Sequence, residues 1–464
     1  MDRDHGALGA AAEAAARFLD GVDERRVWPE VGEEELRERL SLPLADEGAD
    51  PAVVVSELAE GADPGIVATA GPRYFGFVIG GAVPAALGAD WLVSAWDQFG
   101  SGGPVSPAMT VVEEVAARWS LELLGLPAGC SVGFVTGGQG ANTTCLAAAR
   151  HAVLRGVGWD VEHDGLAGAP PVRVIVGAEA HVTIFRALRL LGFGADNAVQ
   201  VPADDQGRME PAELEAVLAG GSGPAIVCAQ AGNVNSGAFD PLDEIASVCE
   251  RAGAWLHVDG AFGLWAAASP ALRGLVRGVE RADSWGVDAH KWLNVPYDCA
   301  LAIVRDREAH FASMDLSAPY LQERRTDWSG PLVPESSRRP RGATVYAAIR
   351  SLGRRGVADL IERCCAHARL MAERLGAEDG VEVLNDVVLN QVLVRFGDDD
   401  AVTRAVVDEV QREGTCWLGG TTWQGQGAMR ISFSNWSTRD EDVELSGSAI
   451  LSAFAAVSAQ TAAG

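Results

Sequence analysis

Lysine is all but missing from this chain. Among 464 residues 37 are basic, yet Lys291 is the one lysine and the rest are arginine. Arginine serves almost every surface role of lysine, but it keeps its proton and so cannot form an imine. The shortage excludes amine chemistry at every side chain but Lys291. A single lysine kept in so arginine-biased a sequence asks for a chemical reason. Positive charge as a whole is also scarce: the formal charge is −27, which argues against nucleic acid and anionic membranes as partners. Any local positive charge then belongs to a dedicated anion site. The eight cysteines show no C-x-x-C spacing, and Cys145 and Cys228 lie in apolar runs (TTCLAAA, AIVCAQA). That pattern disfavours a zinc site or disulfide framework, so no metal is expected and a reducing cytoplasm is. No stretch reads as a membrane span, and MDRDHGALGAAAEAAARFLDGV is too acidic and too weakly apolar for a secretory leader.

Hydrophobic residues make up 48% and charged residues 22%, the balance of a folded protein with a large core. Residues 1–65 read as helices broken at Pro29, Pro43 and Pro51. A helix follows in SPAMTVVEEVAARWSLELLGLP, with Ser106 as N-cap, Pro107 in its first turn and Gly125 at its stop. Apolar runs then alternate with helical patterns: VGFVT, VRVIVGA, AVQVP, AIVCAQA, AWLHVDG, SWGVD and CALAIV. Such alternation predicts an α/β large domain over 66–315 with a mostly parallel sheet covered on both faces, its catalytic groups at the strand C-terminal ends. Residues 316–342 form an arginine-rich loop, and 343–464 a smaller α+β domain with strands around VEVLND, LNQVLVRF and AMRISFSN.

The apolar run AWLHVDG ends in Asp259 and Gly260, as when a buried strand delivers a carboxylate to its edge. Alone, Asp259 reads equally as a turn or cap residue. With His290-Lys291 thirty-two residues beyond it, it supplies the second half of a known requirement. A pyridoxal-phosphate enzyme needs an amine for the cofactor aldehyde and a carboxylate to keep the pyridine nitrogen protonated. VGFVTGGQGANTT is a strand, a glycine turn and a helix start whose free amides can cradle a phosphate, although a plain strand–helix connection has the same look. His181 opens a helix after a strand, the place of a cap or a satisfied core group as well as of a catalytic imidazole.

HVDGAFG, DAHKWLNVPYDC and SSRRPRG together resemble the group II pyridoxal-dependent amino-acid decarboxylases, the family of aromatic-amino-acid and glutamate decarboxylases. The resemblance runs from about Tyr74 to about Trp436. It implies an aspartate-aminotransferase-like fold (fold type I), pyridoxal 5'-phosphate as cofactor, and decarboxylation of an L-amino acid or amino-acid-like metabolite through an imine on Lys291. It further implies that Asp259 meets the ring nitrogen, His181 stacks on the ring, and Ala261 faces the opposite side. Gly138 and Gln139 would hold the phosphate, His290 the phosphate or the substrate, and Asn233 the cofactor, where the family has a threonine. Gly140 stands in place of the family's usual glutamate. A homodimer is implied, with residues 1–65 as its dimerisation arm and the 316–342 loop completing the neighbouring subunit's site.

Two positions depart from that family or stay open. Relatives carry a tyrosine after the loop aspartate as proton donor, whereas Trp328 follows Asp327 here, and of the four tyrosines only Tyr320 lies on the same loop. Either Tyr320 or His181 returns the proton and an amine forms, or oxygen intervenes and the product is an aldehyde. Aminotransferase and β-lyase outcomes keep the same cofactor, and an inactive scaffold is the remote alternative. Arg430 is read equally as a substrate-carboxylate contact and as a structural residue, while Trp417, Trp423 and Gly71-Pro72 are candidates for the pocket lining.

Overall fold

Five of the expected strands are buried along their whole length, as strands covered on both faces must be. The computed structural model describes residues 5–100, 102, 105–315 and 332–463. The strands are β1 (Ser131–Val135), β2 (Arg173–Gly177), β3 (Val199–Val201), β4 (Ala225–Gln230), β5 (Trp255–Asp259), β6 (Ser284–Asp288) and β7 (Ala300–Val304). They form one sheet in the order β1-β7-β6-β5-β4-β2-β3. From β3 through β6 all pairs are parallel. β7 runs antiparallel to both β6 and β1, so β1 points the same way as the parallel strands. The C-terminal ends of β1, β2, β4, β5 and β6 therefore share one edge of the sheet.

The helices before β1 are α1 (Gly6–Gly21), α2 (Glu33–Leu40), α3 (Pro51–Ala62), α4 (Pro84–Trp96) and α5 (Pro107–Leu124). Between strands lie α6 (Gly138–Arg155), α7 (Val161–Asp164), α8 (Val182–Leu190), α9 (Pro211–Ala219) and α10 (Leu242–Ala252), with α11 (Arg307–Met314) after β7. α5 begins and ends as expected, with Gly125 left-handed at its C-cap (φ 65°). Ser106 stands at its N-cap without a capping bond, and its hydroxyl donates to Gln98 Oε1 (3.2 Å). α6 is alanine-rich, and small residues let it lie close on the sheet: Cys145, Leu146, Ala148 and Ala149 pack in one cluster with residues of β1, β2, β4, β5 and β7. In the SSRRPRG segment, Arg338 makes a two-pronged ion pair with Glu113 of α5 (2.8 Å each), both side chains inaccessible to solvent. The Gly342 N–H adds a bond to the same carboxylate (3.2 Å). A buried two-pronged pair of this kind pins a loop to a helix, and loss of one partner would strand a charge in the core.

By internal packing the chain divides into two units, 80–369 with 384–392, and 1–79 with 370–383 and 393–464. α12 (Gly342–Gly376) is interrupted at Gly353 (φ 64°, ψ 176°). The second unit carries the small sheet β10-β11-β9-β8, made of β8 (Val381–Val383), β9 (Gln391–Phe396), β10 (Gly419–Trp423) and β11 (Gln426–Ser432), with antiparallel pairs β8–β9 and β10–β11. β10 has no counterpart in the sequence reading, since GGTT offers no apolar alternation. α13 (Asp400–Glu413) and α14 (Asp440–Ala463) complete the unit. Residues 440–460 of α14 are long and apolar enough by composition to pass for a membrane span, which corrects the expectation that no stretch would. Its buried residues Val443, Ser446, Ile450, Ala453 and Val457 recur at helical spacing, the stripe of a helix packed on a core.

Candidate active site

The glycine turn, Asp259 and Lys291 come together at the shared sheet edge. Asp259 ends β5 and is nearly buried. Its Oδ2 accepts from Asn142 Nδ2 (3.0 Å) and its Oδ1 from the Ala261 N–H (3.2 Å). The Ala261 carbonyl in turn accepts from the Asp288 N–H (2.8 Å), tying the end of β5 to the end of β6. Three residues past Asp288, Lys291 places Nζ 2.8 Å from Asp288 Oδ2. Asp288 is the acidic partner that sequence reasoning missed. Its side chain is 2% exposed, and its Oδ1 has no hydrogen-bond partner among the described residues. The spacing D-x-x-K was visible, but an i, i+3 pair says nothing of burial.

The turn after β1 abuts the same carboxylate. A Cβ on Gly138 would stand 2.9 Å from Asp288 Oδ2, so only glycine fits there. The first backbone bond of α6 runs from Ala141 N–H to Gly137 O (2.9 Å), which leaves the preceding amides for an anion. Gln139 donates to Thr143 Oγ1 (3.2 Å) and to the Thr183 carbonyl (3.3 Å), while its Oε1 is buried without a partner. His290 approaches this turn from β6. Its Nδ1 accepts from the Cys299 N–H (3.2 Å), so the ring proton sits on Nε2, 3.6 Å from Asp288 Oδ1. Burial pushes its pKa down, and the ring is neutral.

His181 caps α8: its Nδ1 accepts from the Thr183 N–H (3.4 Å) and meets Thr183 Oγ1 at 2.8 Å. It lines a cleft with Ala180, Ile184, Gln230, Asp240 and Asp259. Burial raises the Asp240 pKa to about 6, although its oxygens accept from the Met209 and Gln230 N–H groups (2.8 Å each). Asn233 divides its side chain between its own loop and the segment after β2. Oδ1 accepts from the Asn235 and Ser236 N–H groups (2.8 and 3.1 Å), and Nδ2 donates to the Glu179 carbonyl (3.4 Å). Asn142, which binds Asp259, was missed although it stands in the GGQGANTT turn, because a helical asparagine carries no local sign of its partner.

In the other unit Trp417 stacks on Tyr74 (4.9 Å between centroids) and on Trp28 (5.7 Å), with Phe77 tilted against it at 5.6 Å. The Gly71 and Pro72 carbonyls accept from Asn435 and Thr438. Trp423 is buried on β10, and Arg430 lies on β11 opposite Gly419. Desolvation lowers the Arg430 pKa. Tyr320 and Trp328 lie outside the described residues. Among the described residues no group of His, Cys, Asp and Glu side chains is arranged to hold a metal ion.

The donor set fits pyridoxal 5'-phosphate. An amine meets the need of an aldehyde, a nearly buried carboxylate that of a protonated ring nitrogen, and an amide-lined glycine turn that of a phosphate. Comparison with known proteins agrees. The model of the pyridoxal-dependent decarboxylase conserved domain matches residues 34–396. Tryptophan decarboxylase 1 of Oryza sativa subsp. japonica is 29% identical over 92% of this chain and 88% of its own length. The acidic amino acid decarboxylase of Bos taurus is 32% identical over 76% of this chain and 68% of its own. A crystal structure of Oryza sativa TDC with PLP and tryptamine superposes with a TM-score of 0.90 at 26% identity, covering 98% of this chain and 99% of that one.

Proposed function

The chain belongs to the pyridoxal-dependent decarboxylase family, and from that premise we propose that it converts a free L-amino acid to CO2 and the corresponding amine, with Lys291 as the covalent holder of the cofactor. It is a pyridoxal-phosphate-dependent carboxy-lyase of amino-acid metabolism. The observation that carries the finer reading is the meeting, at one sheet edge, of the only lysine with Asp288 at 2.8 Å and of Asp259 with Asn142.

When bound, pyridoxal 5'-phosphate supplies a ring that accepts the electron pair left as the Cα–carboxylate bond breaks. Lys291 Nζ is the amine for its aldehyde, and Asp259 Oδ1 or Oδ2 the acceptor for its ring N–H. Gly138, Gln139 and His290 would hold the phosphate, with Ala261 offering a small surface beside the ring. His181 carries its proton on Nε2 and is the described group able to deliver one to Cα. Each turnover consumes one proton, since a carboxylate leaves as neutral CO2. All eight cysteines are buried, which supports a reducing cytoplasm as the site of action.

The experiment is turnover in air and under nitrogen with L-tryptophan, L-tyrosine, L-aspartate and L-cysteine sulfinate, relatives being named for both aromatic and acidic substrates. Amine equal to CO2, with no oxygen uptake, is the expected result. Trp328 following Asp327 favours a second reading, since the resemblance implies a proton-donating tyrosine after the loop aspartate. Aldehyde, ammonia and peroxide matched to oxygen consumption, and shifted towards amine by Trp328→Tyr, would establish that reading instead.

A homodimer is the proposed assembly. α1, α2 and α3 have no buried residue, and Leu8, Leu42, Leu44 and Leu58 are each more than half exposed, more apolar surface than a monomeric arm ordinarily shows. Light scattering should give twice the chain mass of 48.6 kDa. A fully active monomer at nanomolar concentration would sink the proposal.

A further inference from the structure

A chain of hydrogen bonds runs from the core to the cleft, and its carboxylate end sets its direction. Trp255 Nε1 lies 2.9 Å from Ser284 Oγ, and Ser284 Oγ 3.0 Å from His257 Nδ1. His257 Nε2 lies 3.1 Å from Asn142 Oδ1. Asn142 Nδ2 reaches Asp259 Oδ2 (3.0 Å) and Thr183 Oγ1 (3.2 Å), and Thr183 Oγ1 reaches His181 Nδ1 (2.8 Å). An indole can only donate and an ionised carboxylate can only accept. Ser284 therefore accepts from Trp255, and its own hydrogen is available to His257 Nδ1 once that nitrogen is bare.

At the other end, Asp259 demands an N–H from Asn142, which turns Asn142 Oδ1 towards His257. His257 Nε2 must then carry the ring proton. Complete burial agrees, since it lowers the His257 pKa to about 4 and leaves the ring neutral. The second N–H of Asn142 goes to Thr183 Oγ1, and the Thr183 backbone N–H donates to His181 Nδ1 (3.4 Å), so that nitrogen is an acceptor and takes the Thr183 hydroxyl hydrogen. His181 is left with its proton on Nε2. The seat of Asn142 is shaped for this role: a Cβ on Gly286, in the middle of β6, would come within 2.5 Å of Asn142 Oδ1. A glycine inside a buried strand marks such a close approach.

We infer that His257, acting through Asn142, and Thr183, acting on His181 directly, are positioning residues that hold Asp259 as an acceptor and His181 as its Nε2–H tautomer with a single hydrogen-bonded chain. This rests on the reading of Asp259 and His181 as the groups beside the cofactor. Asp259 ends β5 and His181 opens α8, and the two answer to different parts of the reaction, yet one chain of hydrogen bonds reaches both. Bonds in such a chain polarise one another, so a change at Ser284 is felt at His181, four side chains away.

The test is long-range nitrogen–proton NMR on the full chain labelled with [15N]histidine, with and without cofactor. Eight histidines keep the spectrum readable, and His181→Gln and His257→Gln assign the two signals. Both rings should show a protonated Nε2 and a bare Nδ1 at neutral pH. Thr183→Val should move the His181 nitrogens towards a mixture of tautomers, Thr183→Ser should restore them, and Ser284→Ala should disturb His257 and His181 together. In the loaded enzyme kcat of Thr183→Val should fall about tenfold with KM little changed, the weight of one hydrogen bond. A proton on Nδ1 of His257, or His181 nitrogens unmoved in both Thr183→Val and Ser284→Ala, overturns the inference. The spectra without cofactor are independent of the proposed reaction, so failure of the chain and failure of the functional reading are told apart.

Discussion

Lys291→Ala is expected to purify without covalently held cofactor and to lose turnover by about four orders of magnitude or more, the usual scale for removing a covalent catalyst. No other side-chain amine exists to take over. Borohydride reduction of the wild-type holoenzyme followed by peptide mapping should label Lys291 alone, and label at any other side chain would refute the assignment. The substitution has a second consequence, because Asp288 is buried and Lys291 is its cation at 2.8 Å. Removing one member of a buried pair leaves the other uncompensated. With Lys291 still one-fifth exposed, the loss of stability should be on the order of 2 kcal/mol, below the range for fully buried pairs. Lys291→Ala combined with Asp288→Asn should recover most of it in denaturant unfolding, without recovering activity. Lys291→Arg should separate the two roles in one protein, keeping the charge and the stability while forming no imine.

Asp259→Asn should keep the borohydride label at Lys291 yet turn over some hundred- to thousandfold more slowly. An amide does not balance the charge of a protonated ring nitrogen, and losing one partner of a buried ion pair is worth about 3–5 kcal/mol. Retention of the label is the discriminating measurement, since a merely misfolded variant would lose it too. Near-normal turnover in Asp259→Asn would show that this carboxylate is not the partner of the ring. Asn142 is expected to respond as well, for its Nδ2 then donates to a neutral oxygen in place of a carboxylate, and charge-assisted bonds are the stronger kind.

How much of this was legible follows from the range over which each feature is encoded. Lys291 stood out by composition alone. Asp259 did so because an apolar strand run ending in Asp-Gly is a local pattern. The alternation of apolar runs and helical stretches predicted a mostly parallel sheet, and burial on both faces is what makes such runs continuous. Gly125 and Pro107 marked the ends of α5 because capping depends on a few neighbouring residues. Ser106 shows the limit of that reasoning: it stands at the N-cap, yet its side chain makes no capping bond and its hydroxyl goes to Gln98, eight residues away.

Features that depend on strand order were out of reach. Asn142 meets Asp259 across 117 positions and His257 across 115, and Glu113 meets Arg338 across 225. None of these residues carries a mark of its partner. Asp288 was in view beside Lys291, but its significance lies in burial and in its approach to Gly138, which arise only when the ends of β1 and β6 share an edge. β10 escaped because its residues follow no apolar period. By itself, then, the sequence determined the chemistry this protein can perform, because an imine needs a lysine and one lysine exists. The tertiary structure decided how that chemistry is controlled, because Asp259 takes its hydrogen bond from Asn142, and Asn142 is oriented by His257, partners that only the order of strands brings together.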